Sequence, residues 1–170
     1  MSGDWSSDVC SSDLEILDNS RMFQIWFDPD ISKTISKSAS YSDYKLESFP
    51  LSRKEKSSVL TIKGKGSPFK MESEGIEIYE INYDDGFHEI NLNSELVYSF
   101  FIKKGTLTLE NQKLARGTFL KIDKESKLNF ESKNGLEIFK IISPLRTSYN
   151  WSHAFDKLCH SQFLQGTEDK

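Results

Sequence analysis

The side chains best suited to metal or nucleophilic chemistry are few: His88, His153, His160, Cys10 and Cys159. His88 and Glu89 are adjacent, and neighbours on a strand face opposite sides of a sheet, so the two cannot share a metal shell. A site built on paired imidazoles needs His-x-His, then a Glu and a further His. His88 has no such companions and reads as a rim histidine. His153, Cys159 and His160 do not follow a zinc-ligand spacing. Ser152 and His153 are neighbours and cannot face each other on a helix. No Gly-x-Ser-x-Gly elbow occurs, and Cys159 has no visible activating partner. Gly64-Lys65-Gly66-Ser67 lacks the spacing of a phosphate loop and opens no helix, so it reads as a flexible hairpin connection. The residues themselves therefore indicate neither a catalytic nor a cofactor-binding group.

The elements that would position these residues are β-strands. Met22 to Phe27 is β-rich and ends at the turn Asp28-Pro29-Asp30. Residues 31–40 are Ser/Lys-rich and read as a linker. Tyr41 to Phe49 reads as a strand stopped by Pro50, and Ser58 to Ile62 as another. From Gly75 onward short strands follow at regular intervals: 75–81, 87–92, 95–102, 106–109, 113–115, 117–122, 127–130 and 136–142. Lys103-Lys104-Gly105 and Glu110-Asn111-Gln112 read as turns between them. Many short strands with regular turn signals indicate an all-β sandwich or barrel. Trp151, Phe155 and Leu158 fall at helical spacing, with Ser148 or Asn150 as cap, so a short C-terminal helix is expected.

Composition narrows the function classes. The chain of 170 residues is 36% hydrophobic and 12% aromatic, enough for a sizeable core. The net charge of -4 argues against direct nucleic-acid binding. Arg53-Lys54-Glu55-Lys56 and Lys63 to Lys65 read as solvated loops. No apolar run approaches membrane-spanning length, so no membrane role is expected. Two distant cysteines and a polar, Ser/Asp-rich start fit a cytoplasmic, reducing setting.

Residues 4–14, Asp-Trp-Ser-Ser-Asp-Val-Cys-Ser-Ser-Asp-Leu, fit neither hydrophobic period. They resemble the translation of a common short-read library adapter. Residues 1–14 are accordingly set apart as an artefactual segment, and the natural sequence is expected to extend further upstream. The remaining organisation reads as 15–50, the remnant of an N-terminal barrel and linker; 51–146, a C-terminal barrel; and 147–170, a helix and tail.

At Phe23-Gln24-Ile25-Trp26-Phe27-Asp28-Pro29 the chain resembles the pirin and quercetinase-type bicupins, in which such a segment closes the N-terminal barrel. Ala39-Ser40-Tyr41-Ser42-Asp43-Tyr44 is similar to a strand that follows there. Ile78-Tyr79-Glu80-Ile81, the hairpin at Lys104 to Leu109, and Gly117-Thr118-Phe119-Leu120 are similar to strands of the C-terminal cupin. The resemblance covers roughly residues 15–145. It implies an all-β cupin (jelly-roll) barrel with extra N-terminal strands and a short C-terminal helix.

The resemblance also implies a function. In the family, iron or another divalent transition metal is held in the N-terminal barrel by histidines and one Glu, the last two in a His-x-Glu motif. Here Asp13-Leu14-Glu15 takes that place. Glu15 would be the carboxylate ligand, and the histidine would fall on Asp13. The missing N-terminal barrel is the expected partner. The intact protein would be a metal-dependent, quercetinase-type dioxygenase acting on a small aromatic substrate, or alternatively an iron-sensing transcriptional co-regulator. The present chain would be the inactive, metal-free barrel that holds no cofactor.

Overall fold

The computed structural model describes Gln24, Ile25, Phe27, residues 30–38 and residues 40–148. Eight strands form one connected antiparallel sheet. They are β1 (Leu51–Lys54), β2 (Ser57–Lys63), β3 (Glu77–Tyr83), β4 (Gly86–Asn91), β5 (Leu96–Leu109), β6 (Gln112–Ala115), β7 (Phe119–Asp123) and β8 (Lys127–Pro144).

The two long strands fold this sheet into a roll. The second half of β8 pairs with β3 on one side and with the first half of β5 on the other. Its first half pairs with β4 and with the second half of β5. In turn, β5 hands its first half to β7 and its second half to β6. One layer is therefore β1-β2-β3-β8-β5-β7 and the other is β4-β8-β5-β6, joined through bends in the two shared strands. This is an all-β barrel of jelly-roll type.

The bends have local causes. In β5 the register shifts between Ile102 and Lys104 and again between Lys104 and Thr106. Opposite, Asn134 (φ 64) and Gly135 (φ 63) interrupt β8 in the left-handed region. Extra residues of this kind kink and twist a strand without ending it. Period-two alternation fills the roll from both layers. Ile81, Ile102 and Ile138 from one layer share a core with Leu107, Leu128 and Phe130 from the other.

Several sequence expectations are corrected. Lys103-Lys104-Gly105 is not a hairpin turn, because β5 runs through it. Segments 127–130 and 136–142 are one strand, β8. Tyr41 to Phe49, and with it the family-like strand at residues 39–44, is not a strand in its described residues. The stretch contains only a 3₁₀ turn at Leu46–Ser48, and Tyr44 packs its ring against Phe49 and Phe69 instead. Within the expected linker, Ile31–Thr34 forms one helical turn, α1. Asp30 caps it: the Ser32 N–H and hydroxyl donate to its Oδ1 at 3.2 and 2.6 Å. Arg53 and Lys54 belong to β1 and not to a loop. The segments 1–23 and 149–170, which hold the adapter-like residues, Glu15 and the expected C-terminal helix, lie outside the described residues.

Candidate functional site

Two polar groups interrupt the apolar interior, and they lie at opposite ends of β3. With a rise of about 3.3 Å per residue, Glu77 and Tyr83 are roughly 20 Å apart along the strand.

The first group gathers at the Tyr83 end. On β4, Phe87 and Glu89 face outward while His88 turns in. The His88 ring stacks on Phe130 at 5.3 Å and meets Tyr83 edge-on at 4.8 Å. Its Nε2 lies 2.8 Å from the Asp84 carbonyl and 2.9 Å from the hydroxyl of Ser132, which is fully buried. Ser132 itself donates to the Asp84 carbonyl. Two acceptors at Nε2 place its proton there. Burial pushes the Tyr83 phenol up to about 12. Just outside, the Asp85 carboxylate accepts the Gly135 N–H at 2.9 Å. This backbone hydrogen bond, with a second from Asn134, holds the Asp85 carboxyl below its ordinary range. His88 and Asp85 thus lock the β3–β4 turn onto the bend of β8. The arrangement is a brace, and His88 is an inward, packed residue where a rim position was expected.

The second group gathers at the Glu77 end. Register puts Tyr79 of β3, Lys140 of β8 and Phe100 of β5 side by side on the inward face. The Lys140 ammonium lies 4.7 Å from the centroid of the Tyr79 ring. The Tyr79 hydroxyl donates to Glu77 Oε2 at 2.7 Å. Burial, and then this hydrogen bond, raise the Tyr79 phenol far above its usual value. Lys140 is lowered, chiefly by burial and also by Lys54, while Glu77 opposes the shift. Lys63, expected in a solvated loop, ends β2 and donates to the Ile76 carbonyl at 2.7 Å. Burial lowers it as well. Beside this group lies an open cleft of about 300 Å³. Its wall includes Lys63, Gly64, Phe69 and Glu77.

Neither group fits a transition-metal centre. Among the described residues, no three His, Cys, Asp or Glu side chains converge where they could hold a metal ion. Of the three histidines, His88 alone is described, and its Nε2 is already engaged. Glu89 points outward to Lys127 at 3.1 Å. Glu15, the ligand that the family resemblance implies, lies outside the described residues, as do His153, Cys159 and His160. The residues that sequence reasoning missed are Glu77, Tyr79 and Lys140.

No protein-family model matches the chain, and comparison with curated proteins gives no match. Among solved structures it is similar to GK1651 from Geobacillus kaustophilus, with a TM-score of 0.49 and 15% identity. That match covers 62% of this chain and 47% of the other, about half its length. It is similar to ectoine synthase from P. lautus, with a TM-score of 0.49 and 9% identity over 61% of this chain and 78% of that one. It is also similar to the Cupin_2 domain of an XRE family transcriptional regulator from Enterobacter cloacae. There the TM-score is 0.44, with 9% identity over 54% of this chain and all of that domain. At these scores none of them bears on what the chain does. Among the described residues no helix is long and apolar enough to cross a membrane.

Proposed function

We propose that this roll is the metal-free barrel of a pirin-like, two-barrel protein. Its part is to close against a second barrel, which holds iron or another divalent metal through a shell that includes Glu15. Quercetinase-type oxidation of a small aromatic substrate would take place in that second barrel. The observation that carries the reading is the roll's interior, which is packed with apolar side chains and two internally bonded polar groups.

The outer face adds support. Register aligns Leu51, Leu60, Glu80, Phe139, Phe101 and Phe119 in one row across β1, β2, β3, β8, β5 and β7. Glu80 forms an ion pair with Lys103, whose ammonium also lies 4.8 Å from the centroid of the Phe139 ring. Leu51 is 56% and Phe119 47% exposed. An apolar sheet face of this kind suits a partner barrel.

The test is a longer protein that carries the upstream coding sequence, assayed for iron content and for quercetin-dependent oxygen uptake. Stoichiometric iron with uptake supports the reading. Glu15→Gln should then lower iron content by roughly tenfold or more, because an anionic ligand offsets the metal's charge. Glu89→Gln, which alters only the outward pair with Lys127, should not. Iron without oxygen uptake selects the redox-linked co-regulator, and failure to retain iron overturns both.

A further inference from the structure

We propose that Lys140 is a carbonyl-reactive amine, and that with Tyr79 and Glu77 it forms a site at one end of the roll that holds a small aldehyde or ketone as an imine. The inference concerns residues inside this roll alone, so its failure leaves the two-barrel reading untouched.

The position of Lys140 is the first argument. The inward row of β8 reads Leu128, Phe130, Ser132, Leu136, Ile138, Lys140 and Ile142. All are buried except Lys140, which is half-buried, and all are apolar except Lys140 and Ser132. Ser132 is explained by the brace around His88. Lys140 has no such explanation, since no carboxylate among the described residues pairs with it, and its recorded contact is the face of Tyr79. Removing an ammonium from water is costly, and Glu77 offsets that cost only in part, so burial moves this lysine toward its neutral form. The neutral fraction of such an amine is a nucleophile toward carbonyl carbon, and burial enlarges that fraction.

The surroundings supply the rest of the site. The Tyr79 ring, which the amine meets, and Phe100, beside Lys140 in register on the same inward face, offer apolar surface that suits the body of a small carbonyl compound. The Tyr79 hydroxyl stays protonated and is aimed by Glu77. Gly64, in the wall of the cleft beside Glu77, backs onto this hydroxyl: a Cβ placed on it would lie 3.4 Å from the Tyr79 oxygen. In the reaction, Nζ adds to the carbonyl carbon and a C=N bond replaces the C=O bond. The carbonyl oxygen leaves as water with the two amine protons. No oxidant or reductant is consumed.

The charged and titratable groups around the amine are Glu77 and Tyr79 on β3, Lys54 on β1, and Tyr98 on the same face of β5. Glu77 favours the ammonium form and Lys54 disfavours it. The experiment treats the folded chain with propanal and cyanoborohydride across a pH series and maps alkylated lysines by mass spectrometry. Lys140 should be labelled at pH 7 faster than the exposed Lys113 and Lys124. Glu77→Gln should move the labelling midpoint of Lys140 to lower pH, with circular dichroism confirming the fold. Labelling of Lys140 no faster than of Lys113 and Lys124, or only after unfolding in urea, overturns the proposal. So does a midpoint that Glu77→Gln leaves in place.

Discussion

Gly105 of β5 and Leu136 of β8 cross so closely that a Cβ built on Gly105 would lie 2.8 Å from the Leu136 Cα. The carbonyls of Gly135 and Lys133 would stand 2.9 Å from the same atom, and Gly105 holds φ at +77°. Only glycine fits a backbone contact of this kind in that conformation. Gly105→Ala should therefore destabilise the roll by roughly 2–4 kcal/mol, combining strained φ with displaced backbone. Urea unfolding measures it. A loss under about 0.5 kcal/mol, the range of a neutral surface change, would show that the bend in β5 can relax.

The Asp85 carboxylate ties the β3–β4 turn to the bend of β8 through the Gly135 N–H. Its pKa is lowered from 3.8, first by that hydrogen bond. A carboxyl lowered on folding stabilises the protein above its unfolded pKa, and that contribution is lost as pH falls through the folded one. Unfolding free energy should therefore decline as pH drops below 3.8. Asp85→Asn should be less stable at neutral pH and should show a shallower acid decline. Parallel pH profiles for the two proteins would count against the clamp.

Ser132 is fully buried and donates to the Asp84 carbonyl while facing His88 Nε2. Ser132→Ala removes both hydrogen bonds and leaves part of the His88 and Asp84 polarity unmatched. The expected cost is about 1–3 kcal/mol, the scale for a buried group that loses its partner. Replacing the outward neighbour Glu131, which pairs with Lys133 near the surface, should cost less than about 1 kcal/mol. Equal losses at the two positions would remove the case for the brace.

The sequence makes parts of this fold readable and hides others for physical reasons. Glu110-Asn111 is legible because a tight hairpin needs left-handed backbone that Asn tolerates, and both residues adopt it, at φ 47 and 69. Lys103-Lys104-Gly105 carries the same composition signal, yet β8 stays paired on both sides of it, so the strand bends and does not turn back. Tyr41 and Tyr44 read as strand by type, but among the described residues no strand pairs with them, and Tyr44 finds Phe49 and Phe69 instead. The Lys140 site is hidden for a related reason. In Phe139-Lys140-Ile141-Ile142 nothing local says which face is inward. That is set by register with Tyr79 and Phe100, some sixty and forty residues away.

Lys140 also makes a stability prediction that needs no ligand. Burial lowers its pKa from 10.5, so the folded state releases the proton before the unfolded state does. Between the folded pKa and 10.5 the unfolded chain binds more protons, and stability rises with pH across that window. Below the folded pKa the protein carries the full cost of burying the ammonium. Lys140→Met removes that cost, while its thioether keeps a favourable contact with the Tyr79 ring. At pH 7 the variant should melt higher than the native chain. The advantage should shrink as pH rises toward 10.5 and the native lysine loses its proton in the fold. Calorimetry at pH 7 and pH 10 gives both numbers. A variant that melts lower at pH 7, or a gap that does not narrow at pH 10, would mean that Lys140 is held as an ammonium by the Tyr79 face and by Glu77, and that its burial does not favour the free amine.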